Sequence, residues 1–252
     1  MSRFSLCSLA LLTPLLAAPA LAQGPWSGSI GAGLMMTPDY LGSNDYTSRA
    51  VPDIELNYGD FAYLSWRDGL GINLYQQQNW TISPFLGFHV GRDNEGNISA
   101  FEKVDAGMTA GVRVSYQPNM WRYSLKAQTP VTGDVSGYKL SLNANLRQQI
   151  APKWHMGITP SLSYSSSSWT QDMFNVSARD SAYSGLRQYQ ASSGHLRLGL
   201  IGSVTYQFTK HWNLTGVAGA TQLTGDAKDS PIVKQVGDAT QLLTGVAINY
   251  SF

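Results

Sequence analysis

Residues 154–164 read WHMGITPSLSY, and this stretch decides the fold because its apolar and polar side chains alternate. Apolar or aromatic residues occupy its even-numbered positions except for the proline at 160, and the odd-numbered positions carry His, Gly, Thr and Ser. A period of two residues is typical of a β-strand. The same alternation recurs at 108–116, 121–129, 138–147 and 195–208. The chain is therefore predicted to consist mainly of strands.

The polar face of these strands differs from that of a soluble protein. It carries Gly, Ser, Thr and Asn with scattered charges, where a soluble sandwich would expose many Lys and Glu side chains. This pattern suits a membrane barrel, which contacts lipid on its outer face and is polar inside. In hydrocarbon every backbone amide needs a partner within the protein, and a closed sheet supplies one. We predict an all-β fold, an antiparallel up-and-down transmembrane β-barrel of about 12 strands.

Composition excludes other classes of protein. The chain has 252 residues, of which 43% are hydrophobic and 13% charged, with a formal net charge of +1. Charged residues are about half as frequent as in an average soluble domain. A helical membrane bundle needs apolar runs of about 20 residues, and none approaches that length after residue 22. The near-neutral charge argues against nucleic acid as a partner.

The first 22 residues have the pattern of a secretory signal peptide. Arg3 gives a positive start, residues 9–16 form a short apolar stretch, and Ala20 to Ala22 form an A-x-A end. Cleavage after Ala22 would leave residues 23–252 as a single barrel domain without cysteine. We therefore expect export to the outer membrane of a Gram-negative bacterium.

Connections of two kinds separate the predicted strands. The strands are expected at 26–36, 49–58, 61–67, 70–76, 79–91, 104–116, 121–131, 137–150, 154–165, 195–208, 212–224 and 239–252. Short turns alternate with longer loops at 37–47, 92–103, 131–136, 165–194 and 225–238. This asymmetry predicts periplasmic turns and outer-surface loops. Because proline cannot donate to a sheet, we expect bulges or irregular pairing at Pro52, Pro84 and Pro160.

Tryptophan recurs at one phase of this repeat. Five of the seven tryptophans begin a predicted strand after the leader or a short turn, namely Trp26, Trp80, Trp121, Trp154 and Trp212. An indole ring has a face for acyl chains and an edge for headgroups, so we predict that these residues form an aromatic girdle at one interface. Outer-membrane lipids are then the surroundings of the barrel.

The end of the chain fits an outer-membrane barrel as well. Residues 246–252 read VAINYSF, with apolar side chains at every second position and a final aromatic. This segment resembles the terminal strand by which the barrel-assembly machinery recognises outer-membrane proteins. The machinery is therefore an expected partner during folding.

Three loop segments carry a resemblance to a known family. They are TPDYLGS at 37–43, SAYSGLRQY at 181–189 and GDAKDSPIV at 225–233. In this order they resemble the MltA-interacting protein (MipA/OmpV) family over essentially the whole mature chain. Their motif residues, to which we assign no role, are Pro38, Tyr40, Gly42, Ser43, Ser184, Gly185, Leu186, Tyr189, Asp226, Asp229, Ser230 and Pro231.

The resemblance implies a non-enzymatic outer-membrane scaffold that joins a lytic transglycosylase to a penicillin-binding murein synthase. Periplasmic turns of about three residues leave little room for a large interface. Contact would then use either the mature N-terminus at 23–25 or the rim. The charged rim candidates are Asp53, Glu55, Asp60, Lys153, Lys210 and His211, which ordinary solvation also explains.

The alternative function is a narrow porin-like channel, related to stress or antibiotic response. Strand phase predicts a basic lumen wall formed by Arg113, Arg122, Lys126, Lys139, Arg147, His155, His195 and Arg197. Asp53, Glu55 and Asp105 oppose them, so an open lumen would favour anions. The other possibility is that these side chains fill the barrel while the aromatic loop at 165–194 packs over or into its mouth. We lean towards the filled interior.

The sequence predicts no catalytic residue, cofactor or metal site. The four histidines lack zinc-binding spacing, and the chain has no serine-elbow motif. His195 beside Ser192 and Ser193 is the nearest catalytic candidate, and we expect it only to line the lumen. Asp226 and Asp229 could bind calcium, but Asp-Ser-Pro at 229–231 is first a turn signature.

Overall fold

A computed structural model describes residues 25–252, so the predicted signal segment lies outside the described residues. Within that range the chain forms one antiparallel sheet of thirteen strand segments. Their bounds are β1 Trp26–Pro38, β2 Tyr46–Tyr58, β3 Ala62–Ser65, β4 Gly69–Ile72, β5 Tyr75–Gln77, β6 Trp80–His89, β7 Gly107–Tyr116, β8 Trp121–Pro130, β9 Lys139–Ala151, β10 Trp154–Ser165, β11 His195–Gln207, β12 Trp212–Leu223 and β13 Thr240–Ser251.

The sheet closes on itself. Apart from β4 and β5, each strand pairs with its neighbour in sequence, β1 pairs with β13, and β4 pairs with β6 to complete the ring. The short segment β5 pairs with the start of β6, so β4 and β5 are two parts of one strand, interrupted at Asn73 and Leu74. The structure is thus a closed antiparallel barrel of 12 strands, as predicted.

The strand predicted at 104–116 begins later, because β7 starts at Gly107. Asp105 therefore lies in an exposed loop, where its backbone N–H donates to the Asp134 carboxylate at 2.7 Å. Its predicted place on the lumen wall is wrong. The prediction included Val104 in the strand because it is apolar. Its side chain is buried in an apolar cluster of loop residues and not in the sheet.

The three strand prolines behave differently from one another. Pro160 lies in a gap of the β9–β10 pairing between Ile158 and Ser161, as expected. Pro84 lies opposite the interruption between β4 and β5. Pro52 keeps full register with β1, so the irregularity expected there is absent. It is tolerated because β3 pairs with β2 only from Glu55 onward, leaving Pro52 on a free edge.

Four short helices lie in the long connections. They are α1 Ser167–Phe174, α2 Ala178–Ser184, α3 Gly225–Asp229 and α4 Pro231–Lys234, and a 3₁₀ turn spans Gly96–Ile98. Within residues 25–252, no helix has both the length and the apolar character that crossing a membrane requires.

The two faces of the wall differ as the alternation predicts. Leucines on adjacent strands are exposed on the outer face, including Leu142 at 49% and Leu198 at 50%. Positions between them point inward, where Asn145 donates to Thr159 Oγ1 at 2.7 Å. The wall is apolar outside and polar inside.

Apolar side chains are buried mainly at one end of the barrel. The segments 39–45, 90–106, 131–138, 166–194 and 224–239 meet there, and we call them the cap. At the opposite end, which we call the turn end, the connections 59–61, 78–79, 117–120, 152–153 and 208–211 hold at most four residues each. The barrel therefore has one packed end and one end of tight turns.

Candidate functional site

The cap is organised around helix α1. Ser166 caps this helix by accepting the backbone N–H of Trp169, and Thr170 donates to the Ser166 carbonyl at 2.9 Å. Phe174, at 1% exposure, packs with Trp169 in a cluster that also contains Val233 from α4. A second cluster joins residues from four segments of the cap, three of which also contribute to the first cluster, and it includes Tyr40, Phe101 and Leu186. The long loop therefore packs on the barrel mouth, although Tyr183 is 72% exposed.

The first family motif ties the β1–β2 loop to the last strand. Gly42 N–H donates to Gln241 Oε1 at 3.0 Å, and Gln241 Nε2 donates to the Ser43 carbonyl at 2.8 Å. Gly42 has a φ of 103°, and a Cβ there would lie 2.5 Å from Val233. Only glycine fits this position without strain. Pro38 ends β1, opposite Tyr46, and burial raises the pKa of the Tyr40 hydroxyl.

The second motif forms helix α2 and its end. Ser177 and Asp180 make a reciprocal capping box at its start. Gly185 ends the helix in a left-handed conformation with a φ of 75°, and Ser184 Oγ donates to the Asp180 carbonyl at 2.6 Å. The turn directs Leu186 into the second cluster.

The third motif fastens the last loop to the longest loop. Ser193 N–H donates to the Asp226 carboxylate at 2.7 Å, and the N–H and hydroxyl of Ser192 donate to the same oxygen. These hydrogen bonds, from Ser193 first, hold the pKa of Asp226 below its usual value. The Tyr189 hydroxyl donates to the Asp226 carbonyl at 2.9 Å. Asp226 is thus a clamp between two loops.

The rest of the third motif is structural as well. Ser230 Oγ donates to the Phe174 carbonyl at 2.6 Å, and Pro231 occupies the first turn of α4, where its missing N–H costs nothing. Asp229 lies 3.5 Å from the Lys234 ammonium. Across residues 25–252, no group of three or more His, Cys, Asp or Glu side chains is arranged to hold a metal ion.

Sequence reasoning missed one buried cation in the cap. Arg92 is 4% exposed and donates to the carbonyls of Met173 at 2.7 Å and Glu102 at 3.0 Å. Burial lowers the pKa of its guanidinium, which Asp180 partly offsets. An isolated arginine in a polar loop gives no sequence signal of such a role, because its partners are carbonyls from distant segments.

The basic residues predicted to line the lumen share the inward phase of their strands. Arg113 donates to Asp68 at 3.1 Å, and Lys126 pairs with the same carboxylate. His195 is buried, and its Nδ1 lies 2.9 Å from the Thr170 hydroxyl of α1. The remaining members of the set are Arg122, Lys139, Arg147, His155 and Arg197, whose cross-strand partners lie on the same face.

Asp68 is a second residue that the sequence did not reveal. It lies in the tight turn between β3 and β4, whose strands are only four residues long. Ser65 Oγ accepts the backbone N–H groups of Arg67 and Asp68, which fixes this turn. Because β3 and β4 are short, the turn lies within the height of the barrel. The Asp68 carboxylate is therefore next to Arg113 and Lys126.

A polar cavity of about 370 Å³ lies below Asp68 and opens at the turn end. It reaches the exposed turn residues Asp60, Asn79 and Gln117. Its wall includes Glu55, Asn57, Tyr63, Asn73, Gln76, Arg113 and Arg122. Glu55, which the sequence predicted both at the rim and on the lumen wall, faces the lumen.

The five tryptophans predicted to form the girdle each occupy the first residue of a strand. Four of them stack on or abut a tyrosine directly opposite on the next strand, in the pairs Trp26–Tyr58, Trp80–Tyr116, Trp154–Tyr206 and Trp212–Tyr250, with centroid distances from 4.5 to 5.3 Å. Trp121 instead stacks on Tyr123 of its own strand at 6.2 Å. All five lie at the turn end.

His195 contacts the cap rather than the two serines that precede it in sequence. Its ring contacts Thr170 and lies edge-on to Phe174 at 5.3 Å, inside the apolar cap. Ser192 is engaged by Asp226, and Ser193 Oγ donates to the Gly194 carbonyl at 3.3 Å. Neither hydroxyl is hydrogen-bonded to the imidazole.

The sequence matches known proteins over nearly its whole length. A family model described as MltA-interacting protein MipA matches residues 30–252. The MltA-interacting protein of Escherichia coli (strain K12) is 25% identical, with all of both chains covered, and the protein of that name from Shigella flexneri matches equally.

Solved structures give more distant likenesses. The NanC porin structure has a TM-score of 0.47 at 8% identity, covering 89% of this chain and 100% of that chain. OmpT, an outer membrane protein of Vibrio cholerae, has a TM-score of 0.37 at 10% identity, covering 90% and 96%.

Proposed function

The chain belongs to the MltA-interacting protein family, and on that premise we propose that it is an outer-membrane scaffold for murein enzymes. The E. coli relative is named as interacting with MltA, and the family resemblance extends the partners to a lytic transglycosylase and a penicillin-binding murein synthase. The observation that carries the proposal is the contrast between the ends of the barrel, because a polar cavity opens at the turn end whereas the cap is packed.

The aromatic ring supports a position in the outer membrane. Its tryptophan and tyrosine pairs form a band at the turn end, where an amphipathic ring meets lipid headgroups. Both ends of the described chain lie there too, since Gly28 N–H donates to the Phe252 carbonyl at 3.2 Å. In outer-membrane barrels, short turns face the periplasm. The turn end would then face the murein layer.

The surface that partners would contact combines charged turns with the rim of the cavity. Asp60, Lys153 and Lys210 are exposed there, and His211 stacks on Tyr250 at 5.3 Å. Asp53 and Glu55 belong to the inner face and not to the outer rim. Because each turn is short, contact with a partner would spread over several turns.

The packed cap disfavours the channel alternative. A solute crossing the barrel would have to displace Trp169 and Phe174, which are buried, and then pass the ion pairs of Asp68 with Arg113 and Lys126. We therefore propose a non-enzymatic scaffold rather than a pore.

A ternary pull-down tests the scaffold. The folded barrel, tagged at its C-terminus and held in detergent, is mixed with a lytic transglycosylase and a penicillin-binding synthase from the same organism. We expect the resin to retain the synthase and the transglycosylase together when the tagged barrel is present, and not to retain the synthase without the barrel. Retention of neither enzyme would contradict the proposal.

Charge reversal locates the contact. Lys153→Glu combined with Lys210→Glu changes the turn end, and Arg179→Glu combined with Arg187→Glu is a matched change in the exposed part of the cap. We expect the first variant to weaken retention and the second to leave it unchanged. The reverse result would place the partners on the cap and contradict a periplasmic scaffold.

A further inference from the structure

Two rows of inward-facing residues cross the wall from β7 to β11. In the first row each residue lies directly opposite the next, in the order Arg113, Lys126, Ser141, Ser163 and Arg197. The second row lies one step nearer the cap and contains Gly111, Gln128, Lys139, Ser165 and His195. Neighbouring strands are about 4.8 Å apart, so the long side chains of both rows share one region of the lumen. We call these two rows the basic band.

The basic band has too few negative charges. Asp68 contacts Arg113 and Lys126. Among residues 25–252, no carboxylate lies within 4.0 Å of Lys139 or Arg197. The Lys139 ammonium instead lies 5.7 Å from the ring centroid of Trp169 in the cap. Four cations thus face a single contacting carboxylate.

Unpaired cations inside a protein are unfavourable unless another group replaces their hydration. Lys139 and Arg197 are partly exposed although they point into the barrel, so solvent reaches part of each residue. The Nε of Arg113 is fully buried and has no hydrogen-bond partner among the described residues. The band therefore presents charge and donors that the described chain does not saturate.

The surroundings limit what could enter and from which side. Above the band, Trp169, Thr170 and Phe174 of α1 close the lumen. Below it, the cavity of about 370 Å³ is lined by Arg113, Asp68 and Arg122 and opens at the turn end. A ligand would then enter from the turn end and be small, polar and soluble.

We propose that the basic band is a binding site for a small soluble oxyanion, a phosphate, sulfate or carboxylate, held mainly by Lys139 and Arg197. The planar guanidinium of Arg197 matches two oxygens of such an anion, and Lys139 supplies a mobile ammonium. The hydroxyls of Ser141 and Ser163, which separate Lys126 from Arg197, are neutral donors in the same row. In the other half of the band, the Asp68 carboxylate already pairs with Arg113 and Lys126. This site is independent of the scaffold function.

Calorimetric titration with sodium sulfate and sodium phosphate tests the site. The full barrel is purified in an uncharged maltoside detergent, so that no lipid phosphate competes, and sodium chloride at equal ionic strength is the control for screening. We expect saturable binding of sulfate or phosphate. Lys139→Gln and Arg197→Gln should each weaken it at least about tenfold, the effect of losing one charge-assisted contact.

Arg187→Gln is the matched control, because it removes the same charge from an exposed part of the cap. Folding of every variant is checked by the faster gel migration of the unheated barrel. Absence of saturable binding to the wild type, or unchanged affinity in folded Lys139→Gln and Arg197→Gln, would overturn the proposal.

Asp68→Asn gives a test of opposite sign. It frees Arg113 and Lys126, so an oxyanion site should bind sulfate more tightly, and sulfate should restore the melting temperature lost by the variant. Equal rescue by chloride at the same ionic strength would instead show that the band is only a screened, water-filled interior, and would overturn the proposal.

Discussion

The two ends of this barrel are built on different principles. At the cap, five long segments bury apolar side chains in two clusters and cross-link through Arg92, Asp226 and Ser230. At the turn end, where the tryptophans lie, connections of at most four residues leave a polar cavity open. Since both ends rest on the same wall, the difference comes from loop length. Only the long loops contain enough apolar residues to form a core of their own.

This comparison predicts that the cap is a separate unit of stability. Phe174→Ala should lower the free energy of cap unfolding by about 3–5 kcal/mol, because it leaves a cavity at a fully buried position. The barrel should remain folded, since Phe174 lies outside the sheet. The midpoint of urea unfolding is followed with a fluorophore on Tyr183→Cys, a single labelling site within residues 25–252.

Tyr183→Ala without the label is the control, and because the position is exposed it should change the free energy of unfolding, measured from urea titration by intrinsic fluorescence, by less than about 0.5 kcal/mol. If Phe174→Ala unfolded cap and barrel together in one transition, the two ends would not be independent.

A smaller effect concerns the clamp between the two largest loops. The pKa of Asp226 is lowered in the folded protein, so its hydrogen bonds stabilise the cap above the unfolded value near 3.9 and are lost as the pH falls through the folded value. Asp226→Asn should cost roughly 1 kcal/mol at about pH 6, the value of a charged hydrogen bond reduced by solvent.

The pH dependence separates ionisation from packing. At about pH 3 the wild type should approach Asp226→Asn, so the difference between their urea midpoints in the cap should shrink. Asp229→Asn, which loses only an exposed ion pair, is the control and should show a smaller difference. A difference that stayed constant between the two pH values would exclude the carboxylate charge as the cause.

The smallest expected effect lies at the turn end. Lys153 has a φ of 68°, a left-handed conformation in which a side chain is strained. Lys153→Gly should therefore be neutral or stabilise by up to about 1 kcal/mol, despite the greater freedom of glycine in the unfolded chain. Lys210→Gly, a turn residue without positive φ, should be slightly destabilising in the same urea titration. Equal losses in both variants would contradict strain at residue 153.

Local sequence was sufficient to predict the wall and the turn end. The period of two residues depends only on the pleat, so it gave the all-β barrel of 12 strands and the inward phase of residues such as Lys126 and Arg197. The tryptophan positions follow the same repeat, because four of the five tight turns are followed by a strand that begins with tryptophan and Trp26 begins β1. The strand prediction was wrong at Val104 and Asp105. Val104 is apolar because it is buried in the cap, and the alternation alone does not distinguish this from a place in a strand.

The role of the cap motifs was decided by tertiary structure. The sequence singled out Gly42, Leu186 and Asp226, but it did not show that they meet in one packed unit. Their contacts join positions up to 199 residues apart, as in the bond from Gly42 to Gln241. The same holds for Asp68, whose carboxylate reaches Arg113 and Lys126 because β3 and β4 stop short. Periodicity reports which face a side chain occupies, whereas partners across the lumen depend on how the sheet closes and where each strand ends.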